Sequence, residues 1–132
     1  MNNRSVPPLR ILVVDDNHDG AESLAALLSI DGHELEMAHD GAEAVDKAKA
    51  FRPHVVLLDI GLPKLDGYQA CREMRNMARG AEMDIIALTG WALDVDRDKA
   101  KAAGFTGHLV KPIDFEELDA LLQSVIDRGP FH

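Results

Sequence analysis

Aspartates, a threonine and a lysine stand at the ends of four apolar runs in this sequence. Asp15-Asp16 follow LRILVV (9–14), Asp59 ends HVVLLD (54–59), Thr89-Gly90 end MDIIALT (83–89) and Lys111-Pro112 end TGHLVK (106–111). Taken singly, each has a plain structural use. An acidic pair after a strand caps a helix, a lone Asp or Thr turns the chain, and a lone Lys reaches for water. Together they are three carboxylates, a hydroxyl and an ammonium. Crowded carboxylates repel one another, so a cationic counterpart is required. Lys111 supplies one charge and a hard divalent metal supplies the rest. An acidic cluster without Cys or His selects Mg2+ or Mn2+ over zinc. The six histidines show no metal-ligand spacing, and most read as surface residues. A carboxylate, a metal, a hydroxyl and a lysine suit phosphoryl transfer: the carboxylate attacks phosphorus and the cations neutralise the equatorial oxygens.

Such a convergence needs elements that bring the four run ends to one place. LRILVV, HVVLLD and MDIIALT are continuous apolar runs, the pattern of strands buried on both faces. A helix follows the first run, with Ala21, Leu24, Ala25 and Leu28 on one face and Gly32 as its stop. HELEMA (33–38) alternates weakly and reads as a more peripheral strand. Asp40 and Glu43 form a capping box for a second helix, which carries Val45 and Ala48 and is broken by Pro53. Asp66 caps a third, with Ala70, Met74 and Met77 at helical spacing. Residues 92–103 form a weaker helix with a charged middle, ended by Gly104. Asp114 and Glu117 form another capping box, opening a helix with Leu118, Leu122, Val125 and Ile126 inside. Strands and helices therefore alternate five times. That order implies an α/β fold, a five-stranded parallel sheet with helices on both faces. Ligands of such sheets bind beyond the carboxyl ends of the strands, where the candidate residues stand.

A chain of 132 residues makes one domain, and 46% hydrophobic residues are enough for a core. Aromatics are only 5%, so Leu, Ile, Val and Ala must fill that core. A formal charge of −9 argues against direct contact with nucleic acid or an anionic membrane, both polyanions. Cys71 is the one cysteine, so no intrachain disulfide forms, which suits a reducing cytosol. MNNRSVPPLR lacks a signal-peptide apolar region, and the run Ile11 to Val14 is far too short to span a bilayer. The expectation is a soluble cytoplasmic protein: residues 1–8 a flexible lead-in, 9–128 the domain, and 129–132 a frayed tail.

The chain resembles the receiver domains of two-component response regulators from about Leu9 to Arg128. The most specific part is Asp59-Ile60-Gly61-Leu62-Pro63-Lys64-Leu65-Asp66-Gly67, which matches the family's pattern around its phosphorylated aspartate. Asp15-Asp16, Thr89-Gly90 and Lys111-Pro112 complete the set in the right order. The resemblance implies a doubly wound, flavodoxin-like (βα)5 fold with Asp59 as phosphoacceptor. Asp16, Asp59 and the main-chain carbonyl of Gly61 would bind Mg2+ directly, and Asp15 mostly through a metal-bound water. Thr89 would hydrogen-bond the phosphoryl group and Lys111 would pair with it. Gly90 would stay small because its backbone lies against the phosphate. The Lys111-Pro112 bond would be cis, aiming the lysine into the site. The donor would be a phosphohistidine on a sensor histidine kinase or a histidine phosphotransfer domain. Phosphorylation would draw Thr89 inward and reshape the surface of the last two helices and last strand, changing how an effector binds.

Two positions depart from the family's pattern. The family often has Tyr or Phe three residues before the lysine; here it is His108, as in receivers similar to those attached to hybrid histidine kinases. The two positions that tune phosphoryl lifetime are Gly61, which has no side chain to block water, and Trp91, which could cover the site. Two rivals remain at this stage. A phosphatase of the haloacid dehalogenase type also forms an aspartyl phosphate, but it wants a second acid two residues after its nucleophile. Here that place holds Gly61, and after Asp15 it holds Asn17. A degenerate receiver that works without phosphorylation usually loses part of the acidic pocket, and this chain keeps all of it.

Overall fold

The computed structural model describes residues 8–61, 66–77, 82–90 and 97–128. Its strands are β1 (Arg10–Val14), β2 (Glu34–Ala38), β3 (Val55–Asp59), β4 (Asp84–Thr89) and β5 (Gly107–Val110). Its helices are α1 (His18–Ile30), α2 (Gly41–Phe51), α3 (Gly67–Arg75), α4 (Arg97–Ala103) and α5 (Phe115–Arg128). Residues 92–96 of the expected fourth helix, and the expected lead-in and tail apart from Pro8, lie outside the described residues.

The strands form one parallel sheet in the order β2-β1-β3-β4-β5. The order reverses between β1 and β3, because the chain leaves β1 to one side for β2 and returns to the other for β3. Open α/β sheets place their crevice at this switch point, beyond the carboxyl ends of those two strands. Here those ends are Asp15 and Asp59.

Side chains alternate across the sheet and build two cores. Leu12, Val14, Val56, Leu58 and Ile85 pack against α2, α3 and α4 on one face. Ile11, Val13, Val55, Leu57 and Leu88 pack against α1 and α5 on the other. The central strands are the best buried: Ile11 to Val14 and Val56 to Leu58 have no exposed surface. Fully burying each such side chain contributes about 1.5–3 kcal/mol. The two acids at the switch point thus hang from the most firmly held strands. β2, at the sheet's edge, alternates between exposed and half-buried residues, as its weak pattern led one to expect.

Local chemistry fixes the helix ends. Asn17, and not the acidic pair before it, caps α1: its side chain accepts from the Gly20 N–H at 3.1 Å. Asp15 and Asp16 are thereby left for other work. Asp40 and Asp66 cap α2 and α3, accepting from the Glu43 and Gln69 amides. The box at α2 is modified, because Glu43 reaches back to the His39 amide, one residue before the cap. Asp114 accepts from the Glu116 and Glu117 amides at the start of α5.

Gly104 ends α4 with φ +108°, a conformation that suits glycine. A Cβ at Gly104 would also lie 2.7 Å from Arg75 Cγ, so the position admits no side chain. The Arg75 guanidinium donates twice to the Gly104 carbonyl and once to that of Met83, tying the end of α3 to the end of α4 and the approach to β4.

Candidate functional site

β1 delivers Asp15 and Asp16 to the carboxyl edge of the sheet, and the neighbouring β3 delivers Asp59. One carboxylate oxygen from each of the three lies within 4.8 Å of the others. Asp15 is buried, Asp59 half-buried and Asp16 exposed, so the cluster is open to solvent on the Asp16 side. Lys111 follows β5 and reaches across to the pair: its Nζ lies 2.7 Å from Asp15 Oδ2 and 3.3 Å from Asp59 Oδ2. The Lys111-Pro112 bond is cis. The Lys111 amide donates to the Thr89 carbonyl at 2.7 Å, holding lysine and threonine on adjacent strand ends. Thr89 is buried and stands one residue beyond Leu88, the register partner of Asp59.

Backbone donors fix the acids. Asp15 Oδ1 accepts from the Asn17 amide at 3.0 Å, and Asp59 Oδ1 from the Gly61 amide at 2.8 Å. The free oxygens of both then face Lys111. Gly67 sets the other side of Asp59. A Cβ there would lie 2.5 Å from Ile60 Cα and 2.8 Å from the Asp59 carbonyl oxygen, so α3 starts in contact with the strand end that bears the acid. The Asp66-Gly67 pair was legible as a cap, but not as a position at which only glycine fits.

One lysine does not neutralise three acids. Burial is the largest influence on Asp59 and pushes its carboxyl above the usual carboxylate range; the charge of Asp15 pushes the same way. The Gly61 N–H and Lys111 pull it down without prevailing. Burial on its own would lower Lys111, but the hydrogen bond to Asp15 and the charges of Asp59 and Asp15 outweigh it, and the ammonium is held above its usual value. The two upward shifts have different causes: burial for Asp59, and the neighbouring carboxylates for Lys111. A hard divalent cation fits this oxygen-only donor set, and it would supply the missing charge.

The remaining predicted positions are placed as follows. Gly90 is exposed, and a Cβ there would meet nothing within 4 Å among the described residues. His108 lies on β5 opposite Ala87 and is exposed. Trp91 and the segment 62–65 lie outside the described residues. The histidines divide differently from the expectation of mostly surface residues. His33 is buried and His54 half-buried, and the Nδ1 of each accepts a backbone N–H from the start of β1. Spacing gave no signal for this, because the partners are 24 and 44 residues away.

Comparisons with known proteins give the family and the fold. The family described as "Response regulator receiver domain" matches residues 11–123. The response regulator MprA of Mycobacterium avium is 39% identical over 120 residues, covering 91% of this chain and 52% of that protein. The chain thus spans about half the length of the curated relatives it matches. Among solved structures, the receiver domain of the sensor histidine kinase PA1611 from Pseudomonas aeruginosa has magnesium coordinated in its active-site cleft. It superposes with TM-score 0.83 at 38% identity, covering 92% of this chain and 99% of that one. The chemotaxis protein CheY4 of Vibrio cholerae gives 0.84 at 32%, covering 90% and 99%. A chain of the co-crystal structure of the Saccharomyces cerevisiae phosphotransfer protein Ypd1 with the receiver domain of Ssk1 gives 0.83 at 25%, covering 94% and 92%.

Proposed function

The chain belongs to the response regulator receiver domain family, and from that premise we propose that Asp59 is its phosphoacceptor, with residues 9–128 as the receiver unit. The observation that carries this reading is the Asp59 carboxylate itself. It ends a central strand, lies against Asp15 and Asp16, touches Lys111, and is held by burial above the usual carboxylate range.

Asp16, Asp59 and the Gly61 carbonyl would hold Mg2+, or Mn2+ in its place, with Asp15 acting mostly through a bound water. Bound there, the cation would lessen the repulsion among the acids and draw charge from the transferring phosphoryl oxygens. The chain's own residues do the rest. An Asp59 carboxylate oxygen forms the new P–O bond as the P–N bond to the donor histidine breaks, and the departing imidazole keeps the bonding electron pair. The Gly61 N–H, bonded to Asp59 Oδ1, fixes the carboxylate's orientation. Lys111 already bridges Asp15 and Asp59, so its ammonium is in place to pair with the phosphoryl oxygens. The Thr89 hydroxyl hydrogen-bonds the acyl phosphate. Gly90, Trp91 and His108 tune the response: Gly90 by letting the backbone approach the phosphate, Trp91 by covering it, and His108 at the place of the family's switch residue.

The donor is a sensor histidine kinase or a histidine phosphotransfer domain, and the output is altered binding to an effector in the cytoplasm. No helix among the described residues is long and apolar enough to cross a membrane. Turnover as a phosphatase is disfavoured by Gly61 and Asn17, which leave no second acid where such hydrolases want one; the chain's chemistry is confined to its own phosphorylation and dephosphorylation. Mass spectrometry after incubation with acetyl phosphate, with and without Mg2+, tests the reading. One phosphoryl adduct that requires Mg2+ is expected, and metal-independent or absent labelling of the folded protein would refute it.

A further inference from the structure

The amino end of the sheet, opposite the acidic cluster, holds two histidines that phosphoryl chemistry does not use. Both make the same two-point contact with β1. The Glu34 amide donates to the Leu9 carbonyl at 2.9 Å, and the Leu9 amide donates to His33 Nδ1 at 3.0 Å. On the other side the His54 amide donates to the Arg10 carbonyl at 2.8 Å, and the Arg10 amide donates to His54 Nδ1 at 2.9 Å. In each case an imidazole nitrogen stands where a backbone carbonyl would continue the ladder. Leu9 and Arg10, at the entry to β1, are thereby clasped by the side chains of the residues that immediately precede β2 and β3.

Such an acceptor is conditional. Nδ1 accepts a hydrogen bond only while it carries no proton; the imidazolium has two donors and no acceptor. We propose that His54 is an acid-sensitive latch on the start of β1: its protonation ends the bond from the Arg10 amide and loosens the strand at the end remote from Asp15, with His33 as the matching acceptor on the other flank.

The groups around His54 act on it in both directions, and those that disfavour a proton prevail. Burial, first, and then the charge of Arg10 on β1 hold its imidazole below the usual value, and Glu34 on β2 opposes them only in part. From β4, Asp84 donates its backbone N–H to the His54 carbonyl, which keeps the residue in register. From α2, the Phe51 and Arg52 carbonyls accept from Arg10 Nε and so hold that guanidinium at the amino end of the sheet. Since the folded chain binds this proton less readily than the unfolded one, the stability contributed is fully present above about pH 6.5. It is lost as pH falls from there through the folded value. The acidic cluster is separated from this latch by the length of β1, roughly 16 Å at a strand's rise per residue.

The test compares denaturant midpoints of the full chain and His54→Asn between pH 8 and pH 5, in chelator. The Asn Oδ1 can accept the Arg10 N–H and does not titrate in this range. Below pH 6.5 the unfolding constant of the wild type should rise relative to the variant's by up to tenfold per pH unit, the signature of one proton. Parallel profiles would overturn the latch. Should the variant fail to fold, the ring resonances of the wild type decide: His54 should titrate below the 6.5 of a free imidazole, and a midpoint at or above that value would overturn the proposal.

Discussion

β1 and β3 meet twice, once at each end, and the two meetings are built on opposite terms. At the carboxyl end Asp15 and Asp59 share a single lysine, and burial holds the Asp59 carboxyl above its usual range. At the amino end Arg10 and His54 exchange two hydrogen bonds through a neutral imidazole. On the proposed readings, one end responds to cations and phosphoryl groups, the other to protons. The same pair of strands supports both because its middle, from Ile11 to Val14 and Val55 to Leu58, is almost wholly buried and indifferent to either.

Several substitutions would break or sharpen this contrast. The largest effect belongs to Asp59→Asn, which should abolish phosphoryl labelling by acetyl phosphate; equal labelling of variant and wild type would move the acceptor elsewhere. Removing Asp15 and Asp16 together should eliminate Mg2+ binding in titration calorimetry, and an affinity unchanged in the double Ala variant would dismantle the acidic pocket. At the amino end, His54→Leu leaves a backbone donor without its acceptor and should cost about 1–3 kcal/mol of stability at pH 7.5. Labelling of Asp59 should persist in that variant at temperatures where it is folded; its loss would mean that the two ends are not independent. The smallest effect sharpens the charge argument. The folded carboxyl of Asp59 lies above its unfolded value, so the stability it contributes is present at low pH and lost as pH rises through the folded value. In metal-free buffer Asp59→Asn should therefore melt slightly higher than the wild type at pH 7.5, and the gap should close toward pH 4. A gap that widens on acidification would show that Asp59 is adequately paired.

The carboxyl end was the more legible of the two in the sequence. Apolar runs ending in Asp15, Asp59, Thr89 and Lys111 announce both the strands and what stands at their ends, because a buried strand must be continuous and chemistry must sit where it stops. The caps Asp40, Asp66 and Asp114 were legible for a similar reason, as each acts within four residues. What escaped depends on contacts across long stretches of chain. The clasps of His33 and His54 pair residues far apart in sequence, so a histidine at a strand's start looks like any polar loop residue. Asn17 took the cap that Asp15-Asp16 offered equally well, and only the fold shows Asp15 turned toward Lys111. The demand for glycine at position 67 arises from Ile60, on the far side of the loop.

The Arg75 clasp gives α4 a fulcrum. Its last residue is followed at once by Gly104, whose carbonyl is gripped by two N–H groups from α3 and which has no room for a side chain. A short helix held at one end turns about that end, as a lever does. Any displacement of α4 must then be greatest at Arg97, on the side that leads back to Thr89 and Gly90, and least at Gly104. A small pull at the carboxyl edge of β4 would be delivered to the end of a seven-residue rod that lies away from the clasp.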